Sequence, residues 1–202
     1  MKHFFLIIWL LIFLFFNINV IKSQSKEDDF NYFKDKLSKL ETISFNFVSM
    51  NDPNYKGYLI ADKTNKFKLS LPDRLLVCDG ESVWNYDSKL KQVVISDFNK
   101  TQSASLQTIF FNITENYKPT NLQTATSTKN KHYKILTLSS INNPNEIIEL
   151  NYDDKYNLIS IKFNVAKNSG HFKILNLKFN PKTKKGTFEF KTPKDVEEID
   201  LR

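Results

Sequence analysis

From Ile43 onward, apolar positions recur every second residue. Ile43, Phe45 and Phe47 alternate with Ser44 and Asn46, and after a turn at Asp52-Pro53-Asn54 the chain returns as a strand from Tyr55 to Ala61. This is the period of a strand with one buried and one wet face. Phe67, Leu69 and Leu71 repeat it against Lys66, Lys68 and Ser70. Pro72-Asp73 ends that strand, because proline cannot donate to the ladder. Arg74 to Cys78 is a short apolar strand, and Asp79-Gly80 is a tight turn, since glycine accepts the positive φ a hairpin needs. Ser82 to Tyr86 then carries Trp84 and Tyr86 on one face, and Gln92 to Ser96 carries Val93 and Ile95. Short strands joined by hairpin-length links predict a meandering antiparallel sheet, not βαβ units.

Two stretches break this period. Between Ser25 and Leu40, Phe30, Phe33, Leu37 and Leu40 recur at helical steps, with Ser25 as N-cap and Glu27, Asp28 and Asp29 at the positive end of the dipole. Leu106, Ile109 and Phe110 predict a second helix over Thr101 to Asn112. Both apolar stripes are narrow, so each helix is expected to lie on a sheet. Asn116 to Lys131 is polar and aperiodic and reads as loop with room for a short strand. His132 to Ser139, Glu146 to Tyr152 and Asn157 to Val165 return as strands. His171 to Phe179 changes phase between Ile174 and Leu175, which predicts a bulge or a strong bend. Gly186 to Phe190 reads as the last strand, with Phe188 and Phe190 on one face, followed by a polar tail after Pro193. The expected fold is mainly β: one highly curved antiparallel sheet of about eleven strands, an incomplete barrel with helices over its concave face.

The first residues change the picture of where the chain works. Met1 to Ser23 has a short basic start, an unbroken apolar run from Phe4 to Phe16, and Ser23 as a small residue before a cut. It reads as a secretory signal peptide, leaving residues 24–202 as one domain. A membrane anchor is the alternative, but a span needs about 20 apolar residues and this run is shorter. The whole chain carries 29 Lys+Arg against 22 Asp+Glu, a net charge of +7, and cleavage would remove Lys2 and Lys22 from that excess. The single cysteine, Cys78, allows no internal disulfide and sits far from the apolar run, so an acyl anchor of the bacterial lipoprotein kind is not expected.

Chemistry-bearing patterns are sparse. His132 and His171 sit in predicted strands without partners at ligand spacing, so no metal is expected. The four glycines are scattered, which excludes phosphate-cradling loops. No nucleophile sits in an elbow, and Asp79 and Glu81 flank a turn and do not form an acid/base pair. Cys78 lies in an apolar run, as an inert buried thiol would. Lysines scattered on wet strand faces, in an exported protein, argue for a solvated or protein-docking surface and against nucleic acid. An aromatic-rich curved sheet under helices is suited to hold an apolar ligand, without cofactor and without catalysis.

Several motifs follow one another in a known order. Leu37, Leu40, Ser44, Phe45 and Phe47 are followed by Gly57-Tyr58-Leu59 and by Asp62-Lys63-Thr64-Asn65-Lys66-Phe67. Pro72, Leu75-Leu76-Val77, Asp79-Gly80, Trp84-Asn85-Tyr86 and Gln92 come next, and Phe188-x-Phe190-x-x-Pro193-x-x-Val196 closes the series. In this order the chain resembles the periplasmic outer-membrane lipoprotein carriers, the LolA family. The likeness is strong from about Leu37 to Ser96 and from Gly186 to Val196, and weak between.

The resemblance implies a monomeric, non-enzymatic carrier. It would accept acylated lipoproteins from an inner-membrane lipoprotein-releasing ABC transporter and pass them to an outer-membrane acceptor. It implies an acyl-chain cavity, for which Phe45, Phe47, Phe67, Leu69, Trp84, Tyr86, Phe110, Ile161 and Phe188 are the lining candidates. It implies lid helices, here carrying Phe30, Phe33, Leu37, Leu106 and Ile109. The family ties its lid to the barrel with an arginine, and Lys63 stands in that place, with Thr64 where the family has proline. Lysine keeps the charge but not the five-donor fork. Three other readings stay open: a lipid or glycolipid carrier or sensor on the same scaffold, an enzyme with an unrecognised site, and a structural sheet with a filled core.

Overall fold

The computed structural model describes residues 25–98, 106–126, 130–165 and 168–202. Met1 to Ser23 and the expected helix caps Thr101 and Ser103 lie outside them.

Helix α1 spans Lys26–Ser38 and starts as its sequence dictates. The Ser25 side chain accepts the Asp28 amide, and the Asp28 carboxylate accepts the Ser25 amide, closing a capping box. Strands β1 (Thr42–Ser49), β2 (Lys56–Asp62), β3 (Lys66–Ser70), β4 (Arg74–Asp79), β5 (Ser82–Asp87) and β6 (Gln92–Asp97) follow as consecutive hairpins. Aspartates build three of the turns. Asp62 accepts the amides of Thr64 and Lys66, Asp79 those of Glu81 and Ser82, and Asp87 those of Lys89 and Leu90. The left-handed residue each turn needs is Asn65, Gly80 or Lys91.

Helix α2 (Leu106–Asn116) then leads into β7 (Tyr117–Thr126), β8 (His132–Ser140), β9 (Ile147–Tyr152), β10 (Leu158–Val165) and β11 (Asn168–Phe179). β12 (Glu197–Asp200) ends the chain. All strands join one 12-stranded sheet in the order β12-β6-β5-β4-β3-β2-β1-β11-β10-β9-β8-β7. Every pairing is antiparallel except β12 with β6. The sheet curls but stays open, with β12 and β7 as its edges, and the core lies on its concave side against α1 and α2.

The predicted bulge is present: pairing shifts between Ser44 and Asn46 of β1, opposite Asn176, whose φ is +53°. Ile174 is buried and Leu175 exposed by ordinary alternation, and the bulge beyond them returns Leu177 and Phe179 to the inner face. A second irregularity, between Leu158 and Ser160, turns Ile159 outward while Ile161 and Phe163 stay inside. Gly57 lets β2 meet its neighbours closely; a Cβ there would stand 2.8 Å from the Phe47 ring.

Two expectations are corrected. The segment between Asn116 and Lys131, expected to be loop with room for a short strand, holds the ten-residue strand β7. β7 is an edge strand exposed over most of its length, so neither face carries an apolar repeat, and Pro119 is tolerated where the pairing with β8 shifts. Conversely, Gly186 to Phe190 forms turns, and the closing strand is β12 in the polar tail. The Phe-x-Phe spacing is met without a ladder: Phe190 rests on Tyr86, with ring centroids 5.9 Å apart. Among the described residues no helix is long and apolar enough to cross a membrane.

Candidate functional site

Strand parity decides which side chains share the concave face. Phe45 stands opposite Leu59, Leu59 opposite Leu69, and Phe67 opposite Ala61 and Cys78. In the second half Leu136 meets Leu150, Leu150 meets Ile161, and Ile161 meets Phe172. All of these belong to one continuous cluster, in which Phe45, Leu136 and Ile161 are wholly buried and Leu69 and Phe172 partly so.

The helices fill the hollow. α1 contributes Phe30, Phe33 and Leu37, and α2 contributes Phe110 and Ile113, which are 3% and 1% exposed. The Phe110 and Phe45 rings lie 5.2 Å apart. Leu106 and Ile109 belong to α2, but their side chains lie outside the described residues. Thus Phe45, Phe47, Phe67, Leu69, Phe110 and Ile161 come together on one surface with the lid stripe of α1. Leu136, Leu138, Ile148, Phe163 and Phe172 share that surface and were not among the expected lining residues. Their alternation within β8 to β11 carried the same signal as that of Phe45 and Phe47.

Trp84, Tyr86 and Phe188 do not join them. The column Phe67–Cys78–Val83 faces inward, and the neighbouring column Lys68–Val77–Trp84–Ile95 therefore faces outward, taking Tyr86 with it. These residues form a second apolar patch on the convex side, where Val77, Val93 and Ile95 are buried. The C-terminal segment returns over that patch through Phe190 on Tyr86 and a 2.8 Å ion pair between Asp195 and Lys91. Phe188 is half-buried in the turns of that segment, outside the concave cluster.

Among the described residues Lys63 pairs with the α1–β1 link and not with a helix. Its ammonium pairs with Glu41 and its amide donates to the Glu41 carbonyl. Glu41 lies in the link between α1 and β1, so this exposed pair ties the β2–β3 turn to the start of β1, and among the described residues no helical side chain pairs with Lys63.

α1 is instead held by a group that the sequence presents only as a companion of the helix dipole. Asp29 is completely buried. Tyr152, at the end of β9, donates its hydroxyl to one carboxylate oxygen at 2.5 Å. Tyr156, in the β9–β10 turn, donates to the other at 2.7 Å. The Lys134 ammonium from β8 stands 3.5 Å away. Burial, and then the hydrogen bond to Asp29, pushes the Tyr152 phenol far above its usual range. Tyr32 of α1 stacks on Tyr156 at 3.8 Å, and the Phe33 ring meets Tyr152 edge-on at 4.9 Å.

The Cys78 thiol is buried and pushed up by that burial, which keeps it protonated and unreactive. His171 lies on the convex side, beside Glu149 and Lys162 in an open cleft of about 410 Å³, and its pKa is lowered by burial and then by Lys162. Among the described residues no group of His, Cys, Asp and Glu is arranged to hold a metal.

Residues 38–191 match the family described as outer membrane lipoprotein carrier protein LolA, and this span takes in β1 to β11 and α2. The chain belongs to the LolA family. An outer-membrane lipoprotein carrier protein of Shewanella loihica is 34% identical over 98 residues, covering 43% of this chain and 46% of that protein. The match thus spans less than half of that relative's length. An uncharacterised conserved protein from Thermus thermophilus shares the fold with a TM-score of 0.51 at 13% identity, over 87% of this chain and 99% of that one. LprF from Mycobacterium bovis has a TM-score of 0.46 at 7% identity, over 85% and 97%. The LolA match begins at the last residue of α1, so Asp29 and its helix stand before it, and β12 stands after it.

Proposed function

We propose that this protein is a non-enzymatic carrier of acylated lipoproteins. It is exported by cleavage of residues 1–23, works in the periplasm, receives its cargo from a lipoprotein-releasing ABC transporter in the inner membrane, and hands it to an outer-membrane acceptor. The observation that carries this reading is the concave face: an open sheet whose inner wall is predominantly apolar, with a polar group at Lys134 and Tyr152, and is covered by α1 and α2 through side-chain packing.

The physical need is clear. Each buried CH₂ is worth about 0.8 kcal/mol, so one long acyl chain costs roughly 10 kcal/mol to expose to water. Phe110, Ile113, Phe30 and Phe33 occupy the hollow that an acyl chain would take. When cargo enters, these side chains leave the wall and the acyl chain replaces them. One apolar contact is exchanged for another, so net affinity is much smaller than the burial energy, as a carrier that must release its load requires.

The test is isolation of the exported protein from periplasm, followed by mass spectrometry of what it holds. The expected cargo is acylated lipoprotein. Recovery with only free lipid or glycolipid would replace lipoprotein transport with lipid transport on the same scaffold. Recovery without any acylated molecule, from cells with an intact export pathway, would remove the carrier reading.

A further inference from the structure

We propose that Asp29 is the latch of the lid: its bonds to Tyr152, Tyr156 and Lys134 hold α1 closed over the concave face and set how readily acyl chains gain access. The proposal rests on the carrier reading for its purpose, but the latch itself can be tested without it.

The geometry separates a latch from ordinary packing. Asp29 is on α1, and its carboxylate finds its partners on the wall: Lys134 on β8, Tyr152 at the end of β9, and Tyr156 in the turn that follows. The contact therefore exists only while α1 lies against that end of the sheet. The turn is built to present its share. Asp153 accepts the amides of Lys155 and Asn157, and its carbonyl accepts the Tyr156 amide at 2.8 Å. This places Tyr156 at φ +59°, a left-handed conformation unusual for an aromatic residue, from which its hydroxyl reaches Asp29.

A carboxylate is a poor choice if stability alone were at issue. Asp29 sits beside Phe30 and Phe33 in the buried stripe, where an apolar residue would also pack. Replacing buried ionic groups with apolar ones is often neutral or stabilising. What the carboxylate supplies is reversibility. Closed, it is fully paired, and losing one partner is costly. Open, the carboxylate, both phenols and the ammonium are hydrated by water, whereas an apolar latch would face water unrelieved. The closed position is thus held in one geometry, and the latch groups themselves add no apolar surface on release beyond that of the α1 stripe. The ring stack of Tyr32, Tyr156 and Tyr152 fixes the register of the helix while the latch is closed.

The experiment uses two variants of the exported protein, Asp29→Asn and Tyr156→Phe. The second is isosteric, retains the aromatic stack and removes a single hydroxyl, so it remains informative should Asp29→Asn fail to fold. Each is titrated with a fluorescent palmitate analogue, and hydrogen exchange is followed in α1 and in β1 to β5. Loosening the latch raises the open fraction, so apparent affinity should tighten about tenfold and α1 amides should exchange about tenfold faster, with the strands unchanged. Wild-type binding with unaltered affinity in both variants, or exchange that rises equally in helix and sheet, would overturn the latch. If wild type itself binds no palmitate analogue, the carrier reading falls. The latch is then judged by exchange alone: acceleration confined to α1 supports it, and uniform or absent acceleration rejects it.

Discussion

At the scale of single residues, burial and pairing set which side chains matter. Lys63 and Glu41 are both more than half exposed, so their ion pair contributes little against hydration and side-chain entropy. Lys63→Leu should change unfolding free energy by no more than about 0.5 kcal/mol and leave acyl uptake unaltered, as chemical denaturation and a palmitate titration can show. Gly57→Ala acts in the opposite way. The new methyl would meet the Phe47 ring and the Ser70 carbonyl, and the strain should cost about 1–3 kcal/mol in the same measurement. Asp153 gives a pH signature. Burial works against its charge, but the Asn157 side chain and the amides of Asn157 and Lys155 hold its carboxyl below the ordinary value of 3.8. A depressed folded-state pKa contributes stability above the unfolded value and loses it as pH falls through the folded one. Asp153→Asn should therefore lessen the drop in stability below pH 3.8, read from thermal unfolding at a series of acid pH values.

At the scale of elements, the hairpin meander from Thr42 to Asp97 was legible because most of its strands alternate, and the three turns after β2, β4 and β5 each carry an aspartate and a left-handed residue. The bulge in β11 was legible too, since a change of phase in the sequence is a change of face in the sheet. β7 was not. An edge strand that is wet on most positions has no period to read. The Phe188-x-Phe190 spacing misled in the other direction, because two aromatics can cover a patch without forming a ladder. Trp84 and Tyr86 were placed on one face correctly, but parity alone does not say which face is concave; the column through Cys78 and Val83 decides that. Asp29 could be found only through its partners, which lie more than a hundred residues away in sequence. The C-terminal segment follows as an element with its own role. Removing residues 192–202 would delete β12 and the Asp195–Lys91 pair, and so uncover the β6 edge and the convex patch around Val93 and Ile95. Such a truncation should lower stability and promote self-association on size exclusion, through a bare edge beside apolar surface. Acyl binding per folded molecule should persist, because the concave wall does not depend on β12.

At the scale of the whole molecule, the open sheet and the two described helices form one exchangeable system. The wall is a largely apolar surface from β3 through β1 to β8, and on the proposed carrier reading α1 and α2 stand where cargo would stand. A sheet closed into a full barrel would have to break its ladder to admit a protein-linked acyl chain. An open sheet need only release its lid. The described form is accordingly the closed one, with the hollow filled by Phe110, Ile113 and the α1 stripe. In the proposed carrier, the interior side chains of the lid and an acyl chain compete for the same wall. The most direct measurement is a titration of the exported protein with a triacylated lipopeptide, with hydrogen exchange read in α2. Saturable one-to-one binding, with faster exchange in α2 and unchanged protection in β1 and β10, is the predicted result. Absence of saturable binding, or binding that leaves α2 as protected as before, would contradict it.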